Sequence, residues 1–155
     1  MLENETEYAR WRVHWVSALA LVRAVGHVLK KIDGKDARYR VCIDAAFVEW
    51  KSNRSKYAIF WEFIEEERNS ILKEYQFNVH PLEEVDVLVS STLRNTVTGE
   101  DVQVGEMVRL RENIYRPIMD GFGEGIDARD MYREALDWWD TELSAIEKDC
   151  SRSVS

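Results

Sequence analysis

Two lines of apolar residues that recur in steps of three and four constrain the fold of this chain more than any other feature. The first comprises Tyr8, Trp11, Trp15, Ala18, Val22, Val25, Leu29 and Ile32. Because such steps return to one face of an α-helix, the pattern predicts a helix from about Glu5 to Ile32. Further apolar residues widen this stripe, so we expect the helix to contact more than one neighbour; they are Val13, Val16, Leu19, Ala20 and Leu21.

The second line predicts helical structure from Ala37 to Phe77. It comprises Ile43, Phe47, Trp50, Arg54, Tyr57, Trp61, Ile64, Arg68, Ile71 and Tyr75. A run of about 40 residues exceeds the usual helix length, so we expect two helices, or one helix bent near residues 51–56. Two arginines interrupt a line that is otherwise apolar.

The pattern changes after His80. Alternating valines on either side of Gly99 predict a β-hairpin inserted at about residues 82–106. Residues 105–120 predict a short helix before Pro117, and the glycines of residues 121–125 predict a loop.

The last helix is expected to begin at Asp127, a favourable N-cap, and to end near Lys148. Residues 151–155 then form a disordered tail. A chain of 155 residues fits one domain, here residues 1–150. The predicted fold class is mainly α: a bundle of four to five helices with a small β-hairpin insertion.

Charge is distributed unevenly along the chain. The net charge is −8, but residues 1–60 carry +4 and residues 61–155 carry −12. A general nucleic-acid binder is basic overall, so any contact with RNA must be local. The simpler interpretation is two differently charged, solvated helix faces.

Composition favours a cytoplasmic protein. Cys42 and Cys150 provide neither a disulfide framework nor zinc-ligand spacing, which fits a reducing compartment. The N-terminus carries three glutamates where a signal peptide needs positive charge. Arg23 and His27 break the most apolar stretch, so we expect no membrane span.

Motifs for metals, cofactors and common catalytic centres are missing from the sequence. It contains no HExxH, GxGxxG, GxxxxGK[ST] or GxSxG pattern, and we expect neither a metal nor a cofactor. An acidic cluster lacks the histidine partners of helical-bundle metal sites and is interpreted as a solvated helix face; it comprises Glu62, Glu65, Glu66 and Glu67.

Arg68 is the strongest candidate for a functional side chain. On an apolar stripe, a guanidinium is either paired or faces a cleft, since an unpaired buried charge is costly. Asn69 and Lys73 share the neighbouring face, and together with Arg68 they would suit a phosphate group. The alternative is an ion pair between Arg68 and a carboxylate of another helix, such as Asp137 or Asp140.

The octet RNSILKEY, residues 68–75, resembles the signature of the HEPN family (higher eukaryotes and prokaryotes nucleotide-binding). Arg68, Asn69 and Tyr75 match that signature, and Lys73 stands where the family has histidine. The resemblance implies a helical bundle that forms a homodimer. In active members the arginine and histidine line the dimer cleft and cleave RNA without a metal. In toxin–antitoxin pairs a partner nucleotidyltransferase modifies the tyrosine.

The lysine places ribonuclease chemistry in doubt. RNA cleavage of this type needs a base that titrates near neutral pH, whereas lysine has an ordinary pKa near 10.4. His27 is a possible substitute, because it shares a stripe of the first helix with Arg23 and Lys30. The other interpretation of His27 is an ordinary polar position.

Three functions follow. The first is a HEPN-like dimer of altered or lost ribonuclease chemistry that binds RNA, a nucleotide or a partner protein through a cleft formed by Arg68, Tyr75, Arg54 and His27. The second is an active metal-independent endoribonuclease of toxin type that uses Arg68, Asn69 and Lys73. The third is a non-enzymatic module whose hairpin near Thr98–Gln103 docks a partner by strand addition.

Overall fold

The computed structural model describes residues 2–71, 77–80, 85–110 and 115–153, with Arg68 among the few residues described without their side chains. These ranges are mainly helical with one two-stranded antiparallel sheet, as predicted. The α-helices are α1 (Tyr8–Lys31), α2 (Ala37–Ser52), α3 (Glu66–Asn69) and α4 (Ala128–Ser153). A π-helix (Ile59–Glu65) leads directly into α3, and the strands are β1 (Val85–Arg94) and β2 (Asp101–Leu110).

The first predicted helix is present as α1. Most of its predicted apolar line faces the core, where Trp11, Trp15 and Val22 are buried, but Ile32 at the end of the line is exposed. A 3₁₀ turn (Asp33–Lys35) then reverses the chain. Asp36 caps α2, because its carboxylate accepts a hydrogen bond from the Arg38 backbone N–H at 2.9 Å. Within the described ranges, no helix has both the length and the apolar content needed to cross a membrane.

The second predicted helical region is divided into two, at the predicted place. α2 ends at Ser52, and the carbonyl of Asn53 accepts hydrogen bonds from the backbone N–H groups of Lys56 and Tyr57. Helical structure resumes at Ala58 in a wider form, the π-helix, in which hydrogen bonds span five residues instead of four. The chain therefore turns before it reaches the segment that carries Arg68.

An aromatic cluster joins α2, the π-helix and α4. The ring of Trp50 lies 5.3 Å from Phe60, 5.2 Å from Trp138 and 5.8 Å from Trp139, measured between centroids. The Trp50 indole N–H donates to Glu142 Oε2 at 2.8 Å, so its polar atom is satisfied inside the core. This cluster holds together three segments that are distant in sequence.

Gly26 permits α1 and α4 to approach closely. A methyl group added at Gly26 would lie 3.1 Å from the Trp139 ring. A larger side chain would have to displace that ring, which the aromatic cluster already holds in place.

The predicted hairpin is present and extends farther than predicted. β1 and β2 pair in continuous register from Val85 opposite Leu110 to Arg94 opposite Asp101. The prediction of a short helix before Pro117 is wrong for residues 105–110, because they complete β2, and for residues 115 and 116, which are not helical. Ten residues of β2 pair with β1, so cross-strand pairing prevails over helix propensity. Residues 111–114 lie outside the described residues.

The glycine-rich loop and the last helix follow the prediction with one difference. Gly121, Gly123 and Gly125 all have positive φ, between 80° and 85°, as expected for a loop. α4 follows Asp127, as predicted, but it continues to Ser153 instead of ending near Lys148, and so it includes three residues of the predicted tail. Cys150 is buried, and packing of this last turn explains the greater length.

We expect Gly26→Leu to lower the free energy of unfolding by about 1–3 kcal/mol, because the added atoms overpack the contact with Trp139. Urea denaturation followed by circular dichroism would measure the change. Ala45→Leu is the matched control, since Ala45 is exposed on α2 and the substitution there should change stability by less than about 0.5 kcal/mol. Equal stability of the two variants would contradict the close approach.

Candidate functional site: a carboxylate cleft beside Arg68

Arg68 lies in α3, on the line that the sequence predicted. Its neighbours on that line, Ile64 and Ile71, are buried, and Trp61 is half-buried. The Arg68 side chain is outside the description, so its placement in a cleft or in an ion pair with Asp137 or Asp140 stays a prediction. Lys73 and Tyr75 also lie outside the described residues.

Asn69 and Ser70 follow Arg68 in the same helical segment. Asn69 is half-buried and is already engaged in a noncovalent interaction. The Ser70 hydroxyl donates to the Glu66 carbonyl at 3.2 Å, so it is used within the helix. The Ser70 hydroxyl is therefore not available to donate to a phosphate.

A cleft of about 250 Å³ opens beside this segment. It is lined by Glu62, Glu66, Glu67, Ser70, Asn78, Asp120, Gly121 and Phe122, and we call it the carboxylate cleft. Four of these eight residues are acidic. The cleft therefore has the electrostatic character of a site for positive charge, not for phosphate.

Glu67 is the least expected residue of the carboxylate cleft. It is only 6% exposed, whereas the sequence predicted a solvated carboxylate. Its Oε2 accepts a hydrogen bond from Asn78 Nδ2 at 3.1 Å, while Oε1 has no hydrogen-bond partner among the described residues. Burial raises the pKa of the Glu67 carboxyl, and the hydrogen bonds to Asn78 only partly oppose this effect. A cationic donor would satisfy the unused oxygen and stabilise the charged form.

The prediction of a solvated acidic face is correct for only part of the cluster. Glu62 and Glu66 are exposed. Glu65 is half-buried and pairs with Arg23 of α1, with 2.8 Å between Nε and Oε2. Within the described ranges, no group of three or more histidine, cysteine or acidic side chains is arranged to hold a metal ion.

His27 and its neighbours lie on α1. Arg23 is paired with Glu65, as above, and Lys30 pairs with Asp44 while lying 5.0 Å from the ring of Phe47. His27 is exposed and lines a shallow groove with Ala20 and Ala24. The predicted basic stripe is therefore largely neutralised, and Arg23 joins it to the segment that leads into α3.

Arg54 lies at the other end of the helical segment from Arg68. It is exposed in the turn after α2, and its guanidinium lies 4.5 Å from the ring centroid of Trp61. Ten residues separate Ala58, where the helix resumes, from Arg68, which corresponds to roughly 15 Å along a helix axis. The structure thus does not bring Arg54 into the carboxylate cleft, and its charge is directed to an aromatic ring.

Arg116, which the sequence did not single out, is a buried cation outside the carboxylate cleft. It is 1% exposed, and its guanidinium lies 5.3 Å from the ring of Tyr8 and 5.0 Å from that of Trp11. Its Nη2 donates to the Thr6 carbonyl at 3.2 Å. A buried cation held by rings and a carbonyl has no periodic sequence signal, so pattern analysis could not find it.

Asp127 connects this arginine to α4. Its carboxylate accepts from the Arg116 backbone N–H at 3.0 Å and forms an ion pair with Arg129 at 2.7 Å. Burial works to raise the pKa of Asp127, but hydrogen bonds from Arg129 and from the two backbone N–H groups hold it below its ordinary value. Nearby, the backbone N–H of Met119 donates to the Asn78 carbonyl at 2.7 Å. These contacts fix the loop that places Asp120 opposite Glu67.

Comparison with known proteins supplies no relative for this site: no protein-family model, curated protein or solved structure matches the chain. Its chemistry is therefore inferred from the contacts of the residues themselves.

We expect Glu67→Gln to be more stable than the wild type at neutral pH, by about 1 kcal/mol, because the amide avoids burying a charge with an unpaired oxygen. The folded-state pKa of Glu67 is raised above its ordinary value of 4.5. The stability it contributes is thus fully present below pH 4.5 and is lost as pH rises through the folded-state pKa. Between pH 4 and pH 8, the free energy of unfolding should therefore change less with pH for the variant than for the wild type, as measured by denaturation at each pH.

Glu66→Gln, which changes an exposed neighbour, is the control and should follow the wild-type pH dependence. Parallel curves for the wild type and Glu67→Gln would show that burial does not perturb this carboxyl.

Proposed function

We propose that the protein is a HEPN-like homodimer that binds a basic segment of a partner protein in the carboxylate cleft, and that it has lost the ribonuclease chemistry of the family. The observation that carries this proposal is the cleft itself. Any surface that cleaves RNA must hold phosphate, whereas this cleft is lined by four carboxylates, which repel phosphate.

The outer face of α1 supports the dimer. We use this name for Val13, Ser17, Ala20, Leu21, Ala24 and Val28. All six residues are exposed, although none is charged, and Leu21 reaches 68% exposure. Because the opposite face is already buried in the core, this part of α1 is apolar on both sides. A helix of that kind is normally covered on both sides.

The order of residues on this face favours a second copy as its cover. Its six positions are separated by steps of four, three, one, three and four residues, a sequence of steps that reads the same in both directions. A two-fold axis between Ala20 and Leu21 would therefore place Val13 of each copy opposite Val28 of the other, and Ser17 opposite Ala24. Such matching of a surface with itself is what a symmetric dimer requires. The small residues near the axis would permit close contact.

The carboxylate cleft favours a basic partner over RNA. Glu62, Glu66 and Asp120 are exposed acids around the buried Glu67. Their combined field repels phosphate and attracts lysine or arginine side chains. An ammonium or guanidinium group that entered the cleft would also supply the hydrogen bond that Glu67 Oε1 lacks.

Loss of ribonuclease chemistry is supported by the residues available as bases. Lysine at position 73 is a poor base near neutral pH. The substitute, His27, is on α1, where its neighbours Arg23 and Lys30 are already engaged with carboxylates. The two cations that the sequence placed on one stripe with His27 are thus already paired with carboxylates.

We expect the wild type to sediment as a dimer at micromolar concentration, and Ala20→Glu combined with Ala24→Glu to sediment as a monomer with an unchanged circular dichroism spectrum. The two glutamates would place like charges across the two-fold axis. Ala45→Glu, on the outer side of α2, adds charge at a comparable exposed position and should stay dimeric. A wild type that is monomeric throughout would contradict the proposed dimer.

We expect a fluorescent oligolysine peptide to bind more tightly than single-stranded RNA of equal length in an anisotropy titration. The double variant Glu66→Gln with Asp120→Asn should bind the peptide roughly tenfold more weakly, corresponding to about 1.4 kcal/mol. Substitution of two exposed acids on α4, Asp137→Asn with Asp140→Asn, removes equal charge outside the cleft and should have little effect.

The same preparation, incubated with total RNA with and without EDTA, should give identical RNA profiles for the wild type and Arg68→Ala. Cleavage that persists in EDTA and disappears in Arg68→Ala would overturn the loss of activity and support the endoribonuclease alternative. Tighter binding of RNA than of the peptide would overturn the choice of partner.

A further inference from the structure

The two cysteines, which are 108 positions apart in the sequence, are brought together by the packing of α2 against α4. Trp50 of α2 contacts Glu142 of α4 through its indole hydrogen bond. Cys42 is eight residues before Trp50, and Cys150 is eight residues after Glu142. In two antiparallel helices, eight residues backward along one and eight residues forward along the other both lead about 12 Å in the same direction. Cys42 and Cys150 therefore lie at the same level.

The two thiols lie close to each other at that level. Cys42 packs against the buried cluster that contains Cys150, and the Cys42 thiol acts on the Cys150 thiol at short range. Cys150 is 2% exposed, whereas Cys42 is half-buried at the edge of the core. Neighbouring thiols need only a small approach to reach the S–S bond length of about 2.05 Å.

A groove on the surface reaches Cys150, next to this point. It has a volume of about 720 Å³ and lies between the C-terminal end of α1, the N-terminal part of α2 and the C-terminal part of α4. Cys150 lines its wall, together with Tyr39 and Ile43 of α2. The floor is apolar, and the groove is open to solvent on the side of Asp33 and Asp36.

We propose that Cys42 and Cys150 form a reversible intramolecular disulfide that joins α2 to α4, with a low-molecular-weight disulfide such as oxidised glutathione as the oxidant. The Cys42 thiolate attacks one sulfur of the small disulfide, which releases one small thiol and leaves a mixed disulfide on Cys42. The Cys150 thiol loses its proton to solvent and attacks the Cys42 sulfur, which releases the second small thiol. Two electrons pass from the protein thiols to the oxidant.

The surroundings of the two thiols determine which one reacts first. Burial, together with the nearby Cys42 thiol, raises the pKa of Cys150 to about 11. A thiol that is protonated at neutral pH is a poor nucleophile toward an external disulfide. The more accessible Cys42 is therefore the attacking group, and Cys150 resolves the mixed disulfide once the reaction has become intramolecular.

The test uses the reduced full-length protein, oxidised glutathione and intact-mass analysis after alkylation of free thiols. We expect the mass to fall by two hydrogen atoms, with no alkylation, and tryptic digestion to yield a peptide pair cross-linked through Cys42 and Cys150. Dithiothreitol should reverse the change. Because the disulfide closes a loop of more than 100 residues, the melting temperature of the oxidised protein should rise by about 5–10 °C.

Three variants separate this proposal from general thiol reactivity. Cys150→Ala should retain one glutathione on Cys42, and Cys42→Ser should react slowly. Moving the thiol to an outward-facing position, in Cys42→Ser combined with Val41→Cys, should give a glutathione adduct and no internal disulfide. Two glutathione adducts on the wild type, a disulfide between two chains, or no reaction would each overturn the proposal. None of these readouts depends on RNA or partner binding.

Discussion

The aromatic contacts around Trp50 are the interaction on which the described fold depends. α2, the π-helix and α4 meet at this side chain, and its hydrogen bond to Glu142 fixes the longitudinal register of α2 against α4. A bundle of long helices that relied on aliphatic side chains alone would allow neighbouring helices to slide by one turn. A large indole with one satisfied polar atom permits fewer alternative registers between the two helices. The contact that stabilises the core therefore also determines which residues of α2 and α4 lie at the same level about 12 Å away.

The position of the carboxylate cleft follows from this arrangement. The π-helix packs on the aromatic cluster through Phe60 and joins α1 through the ion pair between Glu65 and Arg23. Those two contacts hold the segment that follows, and thereby bury Glu67 against Asn78. The acidic lining of the cleft is thus determined by helix packing.

Features encoded in short, periodic patterns could be predicted from the sequence, and features that depend on distant contacts could not. The helical segments and the loop of residues 121–125 follow from apolar spacing and glycine content. The burial of Glu67 was missed although it lies three residues after Ile64 and four before Ile71, because its charge led to its assignment to a solvated face. The length of β2 and the proximity of the two thiols were also missed, since each depends on a partner far away in the chain. The roles of Arg68, Lys73 and Tyr75 remain hypotheses that rest on the sequence.

The hairpin has a consequence for how this protein behaves in concentrated solution. β1 and β2 pair only with each other in the described sheet, so each leaves an outer row of backbone donors and acceptors available to another strand. Exposed aliphatic side chains such as Leu88 and Val104 would favour such growth. Opposing it is the charged pair of Asp86 and Arg109, which faces solvent across the ribbon at 2.8 Å. Charged side chains on an exposed ribbon disfavour the addition of further strands, so this pair would help to keep the hairpin from recruiting other copies into a larger sheet.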